Sequence, residues 1–413
     1  MKSIIRAAFV ATLLCTAASV VAPAQAADKL GREVGPPIVA AQKALQAGDY
    51  ATALAKVKEA QAVADKTPYE DYIVNTFLAQ VYIQQKDYAD ATGPLEAAAD
   101  SPAIPDDQKQ STYFNAFQLA FQAKHYAKAI GYGQQLQALK PLDPLASAMM
   151  AQAYYETKDT ANAQKFAKMS VDASKAAGQT PNEFASAMLL QGQATSHDDA
   201  GVKAGLEDMA LNYNKPNTWS ELVDMTLNGK NVKDIDVVYL LRLKMLMPEA
   251  MRETDYQALA SGADQFGYST EAYDVLQKGI ARGKITTAQA GPELAHARSG
   301  AAADQKSLGS IAASAEKAKT GKEDFQLAED YWGYGRFADA ETAVRRAISK
   351  GGLKDPSQGP MLLGMTLVAQ GKYDEGIQTL SQVSGSPTRN STAHLWSLYA
   401  QAQKKTPSTA AQH

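Results

Sequence analysis

Cysteine is almost absent from this sequence, since Cys15 is the only one among its 413 residues. Cys15 lies in an N-terminal segment, Met1 to Ala26, in which Lys2 and Arg6 precede an apolar stretch that ends in small residues. This order is typical of a cleaved export signal, because a membrane anchor needs a longer and less interrupted apolar run. We therefore predict a signal peptide at residues 1–26 and a periplasmic protein. Its mature chain would contain no thiol and form no disulfide bond.

An excess of one charge and long apolar runs are also missing from the rest of the chain. The best candidate for a membrane span, Val237 to Met247, is interrupted by Arg242 and Lys244. The 41 Lys and Arg residues nearly balance the 44 Asp and Glu residues, so the chain has no strong field to attract nucleic acid. We expect no membrane insertion after signal cleavage and no nucleic-acid partner.

Motifs that carry catalysis or bind metals are absent as well. The five histidines are scattered, and no two of them have the four-residue spacing of a helical zinc site. Gly229-Lys230 and Gly321-Lys322 lack the remaining residues of a phosphate-binding loop, and no Gly-x-Ser-x-Gly sequence occurs. The sequence therefore predicts a protein with no catalytic residues, no metal site and no cofactor, and an enzyme built on helical repeats is the least favoured interpretation.

What the sequence does contain is a repeated unit of a helix, a short polar turn, an aromatic residue and an Ala-rich second helix. Tyr50, Tyr88 and Tyr126 are 38 residues apart, and each is followed by small or aliphatic residues at offsets of 3, 7 and 10. Residues at these offsets share one face of a helix. Small residues nine positions before the tyrosine, such as Ala41 and Ala79, would let the two helices approach closely. Each unit is therefore predicted to be a helical hairpin in an all-α protein.

This pattern resembles the tetratricopeptide repeat, which has a period of about 34 residues. Further turn positions follow at similar spacing, and two of them, Ile235 and Ala303, rest mainly on that spacing. The full set is Thr160, Gly201, Ile235, Ser269, Ala303, Phe337 and Tyr373. The segment from Met251 to Gly283 is similar to exported proteobacterial repeat proteins. A plain helical bundle is the alternative, but it does not explain the three aligned tyrosines.

The resemblance implies a right-handed α-solenoid of about ten hairpins with a helix from Ser391 to Lys404 as its cap. We expect an N-terminal array at residues 27–216 and a C-terminal array with the capping helix at residues 217–405. The polar stretch Asn212 to Thr218 would form the bend between them, and residues 406–413 would form a flexible tail.

A recurring glutamine is the one polar feature of the repeats that stands out. Glutamine follows the small mid-helix position in each of the first five units, at Gln42, Gln80, Gln118, Gln152 and Gln193. The resemblance places this position in the concave groove of the solenoid, with Phe121 and Tyr155 beside it and Trp332 facing the groove of the later units. The Lys, Arg and Asn pattern with which some relatives bind a C-terminal carboxylate is not matched. An alternative interpretation is that glutamine occurs here only because it is a good helix former at a solvent-exposed position.

An amide donates and accepts hydrogen bonds, which suits an extended peptide or a glycan. The leading prediction is an exported, non-enzymatic scaffold that binds a protein or an extended peptide in its groove. The alternative is a glycan-associated assembly factor in envelope polysaccharide production or export.

Overall fold

The computed structural model describes residues 30–405, and within them it contains twenty α-helices, one short 3-10 helix and no strand. The predicted all-α class is confirmed. The predicted signal peptide and the predicted tail at 406–413 lie outside the described residues. None of the described helices combines the length and apolar content that crossing a membrane requires.

The chain divides into two compact units, Met1–Leu189 (unit 1) and Leu190–His413 (unit 2). Unit 1 consists of successive helical hairpins. Its helices are α1 (Gly35–Gln46), α2 (Tyr50–Gln61), α3 (Pro68–Gln84), α4 (Tyr88–Ala99), α5 (Asp106–Gln122), α6 (Tyr126–Leu139), α7 (Pro144–Glu156) and α8 (Thr160–Ala176). Helix α9 (Glu183–Thr195) contains the boundary between the units.

The same turn joins the two helices of each hairpin in unit 1. Gly48 has a φ of 73° and Lys86 a φ of 62°, a left-handed conformation that reverses the chain after the first helix. In three of the four hairpins the next residue is an aspartate that caps the second helix, as Asp49 does by accepting a hydrogen bond of 3.0 Å from the backbone N–H of Thr52. In the third hairpin it is His125, whose side chain makes no capping hydrogen bond. The predicted second helices therefore begin at Tyr50, Tyr88 and Tyr126 as expected.

Small residues allow the two helices of a hairpin to pack closely. Ala41 and Ala53 are fully buried between α1 and α2, and Ala91 is fully buried in α4. In the third hairpin, Phe117 and Ala120 are both fully buried, so bulk at the usual small position is matched by a small residue one turn later. The predicted register of the repeats is confirmed in these hairpins.

Unit 2 also contains hairpins, but a long helix and a central helix interrupt the series. Its helices are α10 (Asp199–Tyr213), α11 (Pro216–Leu227), α12 (Asp234–Met245), α13 (Glu253–Gln265), α14 (Ser269–Ala281), α15 (Thr287–Lys317), α16 (Lys322–Gly333), α17 (Phe337–Lys350), α18 (Gln358–Ala369), α19 (Tyr373–Leu380) and α20 (Pro387–Lys405), with a 3-10 helix at Pro248–Ala250.

The turn predicted before Ala303 is wrong, because α15 continues through this position as a single helix of 31 residues. Its start is fixed by a capping box between Thr286 and Gln289. No residue within α15 has the left-handed conformation that ends the first helix of the other hairpins. The Ala-rich sequence around Ala303 favours continued helix, so the spacing of 34 residues was coincidental there.

Helix α12 is the central helix of unit 2. Residues 236 and 238–244 are all buried, which explains why apolar residues occur on all sides of this helix. The C-terminal helix α20 packs against α10, α11, α12, α18 and α19. Trp396 of α20 is fully buried and donates a hydrogen bond of 2.9 Å to the backbone oxygen of Tyr239. The predicted capping helix therefore closes unit 2 onto its central helix.

The predicted division at 216/217 lies inside unit 2. Helices α10 and α11 belong to this unit because α20 binds both of them. The rings of Trp219 and Tyr399 meet edge to face with centroids 5.5 Å apart, and His394 lies 3.2 Å from the carboxylate of Glu207.

Candidate binding face

The first helices of the four complete hairpins in unit 1 carry the predicted glutamines on one side. We call this side of α1, α3, α5 and α7, which carries Gln42, Gln80, Gln118 and Gln152, the glutamine face. Helices α1 and α3 contact one another, and a hydrogen bond of 3.2 Å between the hydroxyls of Tyr72 and Thr112 joins α3 to α5. The fifth prediction is wrong in register: α10 begins at Asp199 rather than at Gly201, so Gln191 and not Gln193 stands at the matching position, and both residues belong to unit 2.

Three amides of this region have a buried oxygen without a hydrogen-bond partner among the described residues. They are Oε1 of Gln80, Oδ1 of Asn115 and Oε1 of Gln118. Gln118 is only 1 % exposed, so the alternative interpretation, a helix-forming residue at a solvent-exposed position, does not apply to it. An unpaired buried oxygen costs about 1 to 3 kcal/mol, so these three groups favour any partner that supplies the missing bonds.

A second set of glutamines, which the sequence analysis missed, extends the glutamine face. Gln46, Gln84 and Gln122 each follow the first set by four residues, a spacing that places both on the same side of a helix. Gln46 and Gln122 are exposed and Gln84 is half-buried. The repeated four-residue spacing was visible in the sequence and would have identified them.

The two aromatic residues predicted for this face have different environments. Phe121 is only 7 % exposed and meets the ring of Tyr126 edge to face, with centroids 5.7 Å apart, so it belongs to the core rather than to an open groove. Tyr155 is 40 % exposed, with the edge of Phe184 against it. Leu145, ten residues earlier on α7 and not predicted, is 42 % exposed. Helix α7 thus adds accessible apolar surface beside Gln152.

The expectation that Trp332 faces an open groove is wrong. Trp332 is only 7 % exposed, and its ring packs against Trp396 and under the guanidinium of Arg242, which lies 5.0 Å from the ring centroid. The side of α16 and α18 that corresponds to the glutamine face carries Glu329 and Met365, both fully buried. This side of unit 2 is occupied by the chain's own side chains.

Arg242 is the centre of a buried ionic cluster in unit 2. It binds Glu271 of α14 through two hydrogen bonds of 2.8 and 2.6 Å, and its third nitrogen lies 2.7 Å from Glu329 of α16. Tyr239 donates a hydrogen bond of 3.0 Å to the other oxygen of Glu329. Burial raises the pKa of Glu329 even though Arg242 opposes the shift. No sequence pattern indicates this cluster, because its members are far apart along the chain and follow no spacing rule.

Other buried charges of unit 2 are paired in the same way. Lys244 lies 2.6 Å from Asp255, and Arg389 of α20 binds Asp236 of α12. Among residues 30–405, no group of three or more His, Cys, Asp or Glu side chains is arranged to hold a metal ion. These charges join helices to one another.

Comparison with known proteins gives one family match. Residues 38–107, which cover most of the first two hairpins, match the model of the tetratricopeptide repeat family. No curated protein matches the chain.

Three solved structures are similar to the chain, each with 12 % sequence identity. A tetratricopeptide repeat protein from Parabacteroides merdae gives a TM-score of 0.29, with 82 % of this chain and 100 % of that one covered. A chain of the Naa15/Naa10 complex bound to HypK-THB gives 0.32, with 85 % and 64 % covered. The P58(IPK) tetratricopeptide repeat domain gives 0.23, with 90 % of each covered. The family match thus covers residues 38–107, and the other hairpins of the described residues share the same helix–turn–helix arrangement.

Proposed function

We propose that this chain is an exported, non-enzymatic scaffold that binds another protein through an extended peptide segment laid along the glutamine face. The observation that carries this proposal is the set of buried, unpartnered amide oxygens of Gln80, Asn115 and Gln118. A tetratricopeptide repeat scaffold supports a role in protein interaction.

An extended peptide supplies what these amides lack. Each of its residues offers one N–H donor and one C=O acceptor, so a peptide running across α3 and α5 meets either end of a side-chain amide. The exposed side chains of Leu145 and Tyr155 on α7 offer apolar surface for side chains of the same peptide. The face therefore combines backbone recognition with side-chain contacts.

The signal peptide predicted at residues 1–26 supports export and a periplasmic location. The absence of catalytic motifs from the sequence supports a non-enzymatic role, as does the pairing of buried charges with one another in unit 2. The proposal therefore includes no catalytic residue, cofactor or metal.

A glycan-associated assembly factor is the second candidate, and the exposed ring of Tyr155 beside Gln152 favours it, because aromatic rings and amides together hold sugar rings. A peptide is preferred because Phe184 already packs against the Tyr155 ring and Lys158 Nζ lies 5.7 Å from its centroid. Less of the ring is free to stack on a sugar.

The test places a photo-crosslinking amino acid at exposed positions of the mature chain in a cell-envelope extract. Crosslinking from position 122 on the glutamine face should yield one or a few proteins, whereas position 348 in unit 2, also exposed, should yield none of them. The triple variant Gln80→Ala, Asn115→Ala and Gln118→Ala should lose the products from position 122. Products that are polysaccharide alone would favour the second candidate. Identical proteins from both positions would contradict the proposal.

A further inference from the structure

We infer that the glutamine face selects an uncharged segment from the interior of its partner's chain and rejects free carboxy termini and charged side chains. This inference rests on the proposed function, because it names the class of peptide that the same face would bind.

The first observation is the lack of charge along the central part of the face on α1, α3 and α5; the nearest charge on the same side is Asp107, in the first turn of α5. Relative to the glutamine, positions −7, −4, −3, +3 and +4 share its side of the helix. In α1, α3 and α5 five of these fifteen positions are buried, and the ten exposed or half-buried ones carry only uncharged residues: Val39, Leu45, Gln46, Thr76, Ile83, Gln84, Ser111, Phe114, Asn115 and Gln122. Lys43 directly follows Gln42 and therefore points to a different side of α1.

A charged ligand group would lose water on this face without gaining a counter-charge. Amides offer only partial charges, so they replace the hydration of an ion poorly. A free C-terminal carboxylate would need a Lys or Arg at one of these positions, and α1, α3 and α5 offer none there. An interior segment avoids this loss, because its backbone is neutral.

The second observation concerns the unpartnered amides. Whichever way each side-chain amide is turned, its buried group needs a neutral hydrogen-bonding partner. As placed, Gln80, Asn115 and Gln118 bury an oxygen that accepts no hydrogen bond. Turning an amide by 180° would bury its NH2 group in the same place. A peptide backbone satisfies both cases, since its N–H groups and carbonyl oxygens alternate.

The glutamine face has a defined length. Adjacent packed helices lie about 8 to 10 Å apart, so the path from α1 to α7 covers roughly 24 to 30 Å. An extended peptide advances about 3.3 Å per residue, so roughly eight residues span this path. At α7 the +4 position is Glu156, which is exposed. A basic ligand residue is therefore tolerated at the end that reaches α7.

The test uses pools of synthetic twelve-residue peptides offered to the immobilised mature chain. One pool is blocked at both ends and contains only Gly, Ala, Ser, Thr, Asn, Gln, Val and Leu. Three matched pools differ by one feature each: a free carboxy terminus, two Asp residues or two Lys residues at central positions. Mass spectrometry of the retained peptides should show at least tenfold enrichment of the uncharged blocked pool over each of the others.

A charge-change variant gives the matched control. Gln84→Glu with Gln122→Glu adds two carboxylates to the glutamine face and should shift retention toward the pool with central Lys. Gln61→Glu with Gln135→Glu adds the same charge at exposed positions of the second helices α2 and α6 and should leave the preference unchanged. Circular dichroism should show equal melting for both variants.

The outcomes separate the two proposals. Equal retention of charged and uncharged pools would overturn the inference on ligand class and leave the peptide-binding function standing. Failure of every pool, combined with specific proteins crosslinked at position 122, would also overturn it, because the partner would then not bind through an uncharged linear segment. Failure of every pool together with no crosslinked protein would overturn both.

Discussion

Replacing Arg242 by methionine should destabilise unit 2 strongly. The guanidinium is 2 % exposed and lies within 2.8 Å of carboxylate oxygens of both Glu271 and Glu329. It is also 5.4, 5.6 and 5.0 Å from the ring centroids of Tyr239, Tyr268 and Trp332. Methionine fills much of the same volume but leaves two carboxylates without their cation.

The expected loss is about 3 to 5 kcal/mol, the cost of leaving buried charges uncompensated when one partner of an ion pair is removed. For a unit of this size such a loss lowers the melting temperature by roughly 6 to 20 °C. The loss should be smaller at pH 5 than at pH 7. Burial already raises the pKa of Glu329, and without the attraction of Arg242 it rises further, so mild acid neutralises the stranded carboxylate.

Tryptophan fluorescence during urea unfolding measures this effect in unit 2 alone, because all three tryptophans, Trp219, Trp332 and Trp396, lie in that unit. Adding Glu271→Leu and Glu329→Gln to Arg242→Met should recover most of the loss, since the charges are then removed together and Tyr239 keeps an acceptor. A single variant that loses less than about 1 kcal/mol at pH 7 would refute the view that Arg242 neutralises this cluster.

Three further perturbations test other parts of the fold. Burial raises the pKa of Asp330 to about 6, above its unfolded value of 3.8. The free energy of unfolding of unit 2 should therefore fall by up to about 3 kcal/mol as the pH rises from 4 to 7. Asp330→Asn should remove this pH dependence, which urea midpoints at several pH values would measure. Ala53→Leu or Ala91→Leu should overpack a hairpin of unit 1 and cost about 1 to 3 kcal/mol, and unchanged circular dichroism melting of both would contradict the assigned register. Trp396→Ala should cost about 3 to 5 kcal/mol, because it leaves a cavity between α20 and α12; near-native urea stability would mean that α20 is only a peripheral cap.

The hairpins were predictable because their determinants are local. A turn needs a residue that tolerates a left-handed conformation, and in several hairpins a capping aspartate follows it, so both signals are read within four residues, as at Gly48 and Asp49. Small buried residues such as Ala53 repeat at a fixed distance from the turn. Where the same spacing occurred without these turn residues, at Ala303, the prediction failed.

The filled interior of unit 2 was not predictable in this way. Its ionic cluster joins Arg242 to partners 29 and 87 residues away, and Arg389 binds Asp236 from 153 residues away. Such pairs depend on how successive hairpins pack, and no periodicity in the sequence specifies them. For the same reason, the sequence indicated a face for Trp332 but not the side chains that cover it.

The candidate face was predictable in part, because glutamine recurs at one register position. The sequence placed Gln80 and Gln118 on a common side, but their burial depends on contacts with neighbouring helices and emerged only from the structure. Asn115 had no repeated counterpart that would have identified it. Local pattern thus located the face, and tertiary packing determined which of its amides lack a partner.

The two units treat one register position in opposite ways, and this contrast supports the proposed role of unit 1. Eight residues before the second helix of the hairpin begins, α5 carries Gln118 and α16 carries Glu329, and both side chains are buried. In unit 2 the chain itself supplies an ion pair from Arg242 and a hydrogen bond from Tyr239 to this position. In unit 1 no described residue supplies a donor to the Gln118 oxygen. Since a buried acceptor is stable only when it is paired, a donor from a bound peptide would give unit 1 what unit 2 obtains from its own chain.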